Sequence, residues 1–184
     1  MNPTTFPPNS LDLAFDGRLK SAPDGWETDP KGFLVARAKG LADLAESLLA
    51  GLKKRDDVPA LLRNLALFRK EHFVFDTAYS FKKADRPPKG ASRPLSDFDH
   101  WTTVSLGEPI KGISTDPGPV PPIDAGNVEI LDFLTGACEK IVALWVPWMR
   151  AVAAGEIVPV RYVDTFVGLE RPFPRSSLSK EAVS

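Results

Sequence analysis

Residues 127–155 read NVEILDFLTGACEKIVALWVPWMRAVAAG, and the reading of this stretch decides the fold. Val128, Leu131, Leu134, Cys138, Ile141, Trp145, Trp148 and Val152 recur three or four positions apart, the spacing of one helical face. From Ile141 to Met149 the chain is apolar on every side, which marks this as the central helix. Asn127 can cap its start and Gly155 can end it. Pro147 removes one backbone hydrogen bond and predicts a kink near Ala143.

Two further helices lie upstream. Asp29-Pro30 is a cap followed by proline at the first helical position. Leu34, Ala38, Leu41, Ala45, Leu48 and Leu52 then form a stripe, predicting a helix over 31–54 with Arg37, Lys39, Asp43, Glu46 and Lys53 mostly on its outer side. Asp57 caps the next, with Pro59 in its first turn. Leu61, Leu65, Phe68, His72, Phe75 and Tyr79 keep helical spacing, although Phe73, Phe75, Tyr79 and Phe81 also fit one face of a strand. The absence of a turn residue between the halves favours one long helix reaching about Lys83.

Beyond the break at Arg86-Pro87-Pro88-Lys89-Gly90, Phe98, Thr102, Val104 and Leu106 predict a short strand over 98–106. Residues 157–167, rich in Val, Ile, Tyr and Phe, are its expected partner. The expected fold class is therefore mainly α, a three-helix core around 128–154 with a small two-stranded β element and long Pro-rich extended arms. The domains read as an N-terminal arm over 1–30, a helical domain over 31–170 carrying a Pro-rich loop at 107–124, and a C-terminal tail over 171–184. The 18 prolines among 184 residues are about twice the usual share, and most fall between elements rather than within them.

Composition narrows the function classes. A formal charge of −1 supplies no overall field for nucleic acid or an anionic membrane. The lone cysteine, Cys138, rules out an internal disulfide and a cysteine-based zinc site. The longest apolar run, Ile141 to Met149, is about half a membrane span. The opening residues match neither a secretory nor a mitochondrial signal, so a cytoplasmic protein is expected. There is no P-loop, no dinucleotide-binding turn and no Gly-x-Ser-x-Gly elbow.

The expected role is that of an interaction or accessory protein, in an assembly or as an adaptor, which binds a protein partner or its own copies. Phe6, Leu11, Phe15 and Trp26 give the first arm apolar surface that must be buried somewhere. Pro119, Pro121 and Pro122 form an extended stretch that a groove could hold.

The alternative is a small metal-dependent or acid–base enzyme. Asp97, Asp99, His100 and His72, the last with Glu71 and Asp76 nearby, bring carboxylates and the chain's two imidazoles into a catalytic set. His72, Asp97 and His100 would be the ligands of a divalent metal; no other cofactor is expected. Against that reading, the Asp-x-x-His spacing is common by chance, and Asp97 also suits a turn cap. A second alternative is weak nucleic-acid binding through Lys82, Lys83, Arg86, Lys89 and Arg93, beside Tyr79 and Phe81. Trp145, Trp148 and Cys138, on the kinked helix, mark the expected small-molecule pocket, with Cys138 better suited to packing than to nucleophilic work.

Overall fold

A computed structural model of the chain describes residues 30–106, 125–164 and 169–172; residues 1–29, 107–124, 165–168 and 173–184 lie outside them. The protein is mainly α. Helix α1 spans Pro30–Lys54, α2 Val58–Ala78, α3 Lys89–Leu106, α4 Ala125–Lys140 and α5 Val146–Ala153. Strands β1 (Tyr79–Ser80), β2 (Arg161–Asp164) and β3 (Leu169–Pro172) form an antiparallel sheet in that order.

All six residues of the predicted α1 stripe are buried. Its small residues Ala38, Ala42 and Ala45 allow neighbouring helices to approach closely, and α1 packs on α2, α4 and α5. The helix after residue 128 is correspondingly less central than its composition suggests, since Ala143, Leu144 and Pro147 face outward. Arg37, expected outside, is fully buried and forms an ion pair with Glu71 of α2, its guanidinium 4.8 Å from the centre of the Phe33 ring.

The turn from α1 to α2 is held by named contacts. Arg55 takes a left-handed φ of 54°, and its N–H donates to Gly51 O at 2.8 Å. Its side chain reaches Asp132 of α4 at 2.6 Å, a tie across the fold. Asp57 caps α2 as expected, its Oδ1 accepting from Ala60 N at 3.0 Å.

Two expectations are corrected. Residues 98–106 belong to α3, not to a strand. Ala91, Leu95, Phe98 and Thr102 are all buried at spacings of four, three and four, so a helical face prevails over the local alternation. Pro94 lies inside α3, in its second turn, where it forgoes the hydrogen bond to Gly90 O. Helix α2 ends at Ala78 rather than near Lys83, because Tyr79 turns extended and pairs with Tyr162 of β2. The partner of β2 is thus the short β1 on one side and β3 on the other, where Arg161 faces Pro172.

Where a kink is expected, the backbone departs from the α-helix. Between α4 and α5, Ile141–Trp145 makes one wide π turn in which Val146 N–H donates to Ile141 O, five residues back. Pro147 follows at once. A regular helix would need an N–H there and would press the proline ring on the carbonyl of Ala143, and the wide turn avoids both. Gly155, with φ of 78°, closes α5, its N–H donating to Val152 O at 3.1 Å.

Candidate functional site

The π turn aims Trp145 and Trp148 into different aromatic groups. Trp145 meets Phe68 edge-on at 5.8 Å and His72 edge-on at 5.6 Å, while Phe68 also packs on Phe98 at 5.5 Å. Trp148 meets Phe81 at 4.9 Å and Phe75 at 6.3 Å, and Phe75 lies 5.0 Å from Tyr79. Trp148 Nε1 donates to Asp85 O at 2.8 Å, fastening the turn between β1 and α3 to the helix. At the start of α3, a Cβ on Gly90 would stand 3.2 Å from the Leu144 side chain, so this end of the helix lies close to the π turn.

These elements enclose a cleft of about 810 Å³. Its apolar walls include Phe75, Tyr79, Phe81, Leu95, Trp145 and Trp148, and Lys83, Arg86 and Lys89 line it from the turn and the start of α3. Ser92, Leu95, Ser96 and Asp99 line it from α3, where spacings of three, one and three place them on one helical face. His72 and Asp76 enter from α2. Three cations thus stand against two carboxylates, one of which, Asp99, faces His72.

His72 and Asp99 are the members of the predicted acid–base set that the fold brings together. His72 Nδ1 lies 3.4 Å from Asp99 Oδ2, an ion-pair distance that is long for a hydrogen bond, and the nitrogen makes no well-aligned one. The ring is wedged against Phe68, stacked at 5.8 Å, and Trp145. Asp97 instead pairs with Arg93 one turn earlier at 3.7 Å, within α3 rather than capping it. His100 is exposed and lies edge-on to Trp101 at 5.2 Å. Among the described residues no three His, Cys, Asp or Glu side chains converge to hold a metal ion.

Of the expected pocket residues, Trp145 and Trp148 line the cleft and Cys138 does not. Cys138 is buried against α1, with Sγ 3.6 Å from Ala45 O. Burial, reinforced by Glu139 and opposed by Lys53, pushes its thiol up to about 12. Such a thiol is a packing group rather than a nucleophile at neutral pH. Phe6, Leu11, Phe15, Trp26, Pro119, Pro121 and Pro122 lie outside the described residues.

Sequence reasoning missed Ser92, Ser96 and the aromatic wall from Phe75 and Phe81 as parts of one site. Their signal lies in the basic residues beside Tyr79 and Phe81, a pattern that in sequence suits a nucleic-acid contact as well as the rim of a cavity. No described helix is long and apolar enough to cross a membrane. A scan against protein-family models finds no match, and searches of curated proteins and solved structures find none either.

Proposed function

We propose that this protein binds a small molecule in the cleft, one that joins a flat apolar body to an anionic group. One observation carries the reading: a single cavity of about 810 Å³ joins an aromatic wall built on Trp145 and Trp148 to the cations Lys83, Arg86 and Lys89. The volume lies in the range of small-molecule sites, and apolar walls with a few placed charges are their usual chemistry. Three of the five cations once read as a nucleic-acid footprint line this cavity, and a fourth, Arg93, is paired with Asp97. The test is a titration with aromatic carboxylates and aryl phosphates, read by the intrinsic tryptophan fluorescence to which Trp145 and Trp148 of the cleft contribute. Saturable binding that the double variant R86A/K89A weakens about tenfold supports the reading, that factor being about 1.4 kcal/mol. A panel without saturable binding by any anionic aromatic would overturn it.

A second reading, that of an interaction protein, draws on a different surface. Phe133 of α4 is 46% exposed and lies 5.4 Å from Trp101 of α3, with His100 beside it. An exposed phenylalanine backed by a half-buried tryptophan suits contact with a second copy of the chain. Native mass measurement of the wild type and F133S tests it. A wild-type monomer at high micromolar concentration would remove it.

A further inference from the structure

We propose that the cleft's ligand carries a hydrogen-bond donor, a hydroxyl or N–H, on its apolar body away from the anionic group, and that His72 accepts it. The inference rests on the cleft being the binding site. It follows from how His72 is held.

A carboxylate only accepts hydrogen bonds, so Asp99, the charged group facing Nδ1, favours the tautomer with its proton on that nitrogen. The same logic orients imidazoles elsewhere, and such contacts commonly shorten once a site is filled. In that tautomer Nε2 is left as an acceptor for the occupant of the cleft that His72 lines. Phe68 and Trp145 pack on the ring from two directions, so it cannot turn freely to exchange its nitrogens.

The length of the site sets the ligand's form. Lys89 and Asp99 stand on the same helix ten residues apart, about 15 Å at 1.5 Å per residue. Long cationic side chains shorten that span from one end. A para-substituted phenyl ring with a two-carbon acid chain suits the remainder. The class is therefore a hydroxylated aromatic acid rather than an apolar one, because a ligand without a donor would leave the imidazole lone pair desolvated and unpaired.

Three probes separate the possibilities in isothermal titration with the full chain: 3-(4-hydroxyphenyl)propanoate, 3-phenylpropanoate and 3-(4-methoxyphenyl)propanoate. The titration is run at pH 8.5, above the range in which histidines ordinarily change charge. The hydroxyl probe should bind about tenfold tighter than the other two. In H72F that preference should fall within about twofold, with 3-phenylpropanoate binding retained. D99N guards against a misfolded H72F: its amide can donate to Nδ1 and move the imidazole proton to Nε2, so the methoxy probe should gain on the hydroxyl probe. Equal binding of the hydroxyl and phenyl probes to the wild type would overturn the inference and leave the cleft reading standing. So would a preference that survives in H72F, or a ranking unchanged in D99N. Failure of all three probes to bind would overturn the inference, and the cleft reading would then stand or fall on the wider panel of aromatic carboxylates and aryl phosphates.

Discussion

Arg37 and Glu71 face each other in a place that offers them no water, and the pair illustrates what a single buried charge costs. Arg37 Nε and Nη2 and Glu71 Oε1 are buried without hydrogen-bond partners, so the ion pair is only partly satisfied. Removing one member strands the other, and E71A should lose roughly 3 to 5 kcal/mol in urea unfolding. The double variant R37M/E71M should recover most of that loss, since apolar replacements of buried ion pairs are often neutral or better. Burial raises the Glu71 carboxyl above its ordinary 4.5, against the opposing pull of Arg37 and Lys70. The folded protein therefore holds this proton to higher pH than the unfolded chain does. Its stabilising contribution is complete below 4.5 and is lost as pH rises through the folded value. The stability of the wild type relative to E71Q should fall accordingly as pH rises from 4.5, then level off. Cys138 follows the same sign at the alkaline end, its contribution fading from 9.0 towards about 12. At pH 8 a disulfide reagent should leave the native thiol untouched and react promptly once urea has unfolded the chain.

At the scale of elements, the ends are more separable than the middles. Replacing Asp57 with Ala removes the cap that accepts from Ala60 N and should cost about 1 kcal/mol in urea unfolding, while Asn there should cost a few tenths at most. The π turn couples two features of the sequence. Deleting the outward-facing Ala143 would draw the five-residue turn into a regular helix, and Pro147 would then meet both penalties the wide turn avoids. That deletion alone should cost about 3 kcal/mol. Combined with P147A it should cost clearly less in the same melts, which an unrelated effect of shortening the helix would not reproduce. These local signals were legible because they depend on neighbours in the chain: the α1 stripe, Asp57, Gly155 and the disturbance at Pro147. Residues 98–106 misled for the same reason. Phe98, Val104 and Leu106 alternate locally, and the helical face that prevails begins at Ala91, before a proline that argues against a helix. Arg37 was unreadable from its own helix, because its partner arrives from α2. His72 and Asp99 were legible as residue types suited to proton chemistry, but their meeting depends on how α2 and α3 cross.

For the molecule as a whole, the helical body and the small sheet are unequal partners. Helix α1 contacts three other helices, and the cleft is lined by α2, β1, α3 and the helix carrying Trp145 and Trp148. Strands β2 and β3 join through β1 and through contacts with α2. A two-stranded hairpin is marginal by itself in water, so β2 and β3 depend on the body that β1 anchors. The dependence does not run strongly the other way, since Phe75 keeps its contacts with Tyr79, Phe81 and Trp148. A chain ended after Val160 keeps the bond from its N–H to Ser80 O and loses both strands. It should retain its helical circular dichroism and unfold cooperatively, with a melting temperature lower by no more than about 8 °C, equivalent to 1 to 2 kcal/mol in a domain of this size. Its affinity for an aromatic acid should stay within about threefold of the full chain's, because both tryptophans, the three cations and His72 all precede the cut. Loss of cooperative unfolding in the shortened chain would make the sheet a structural requirement of the body. Loss of binding with the fold intact would place part of the site beyond Val160.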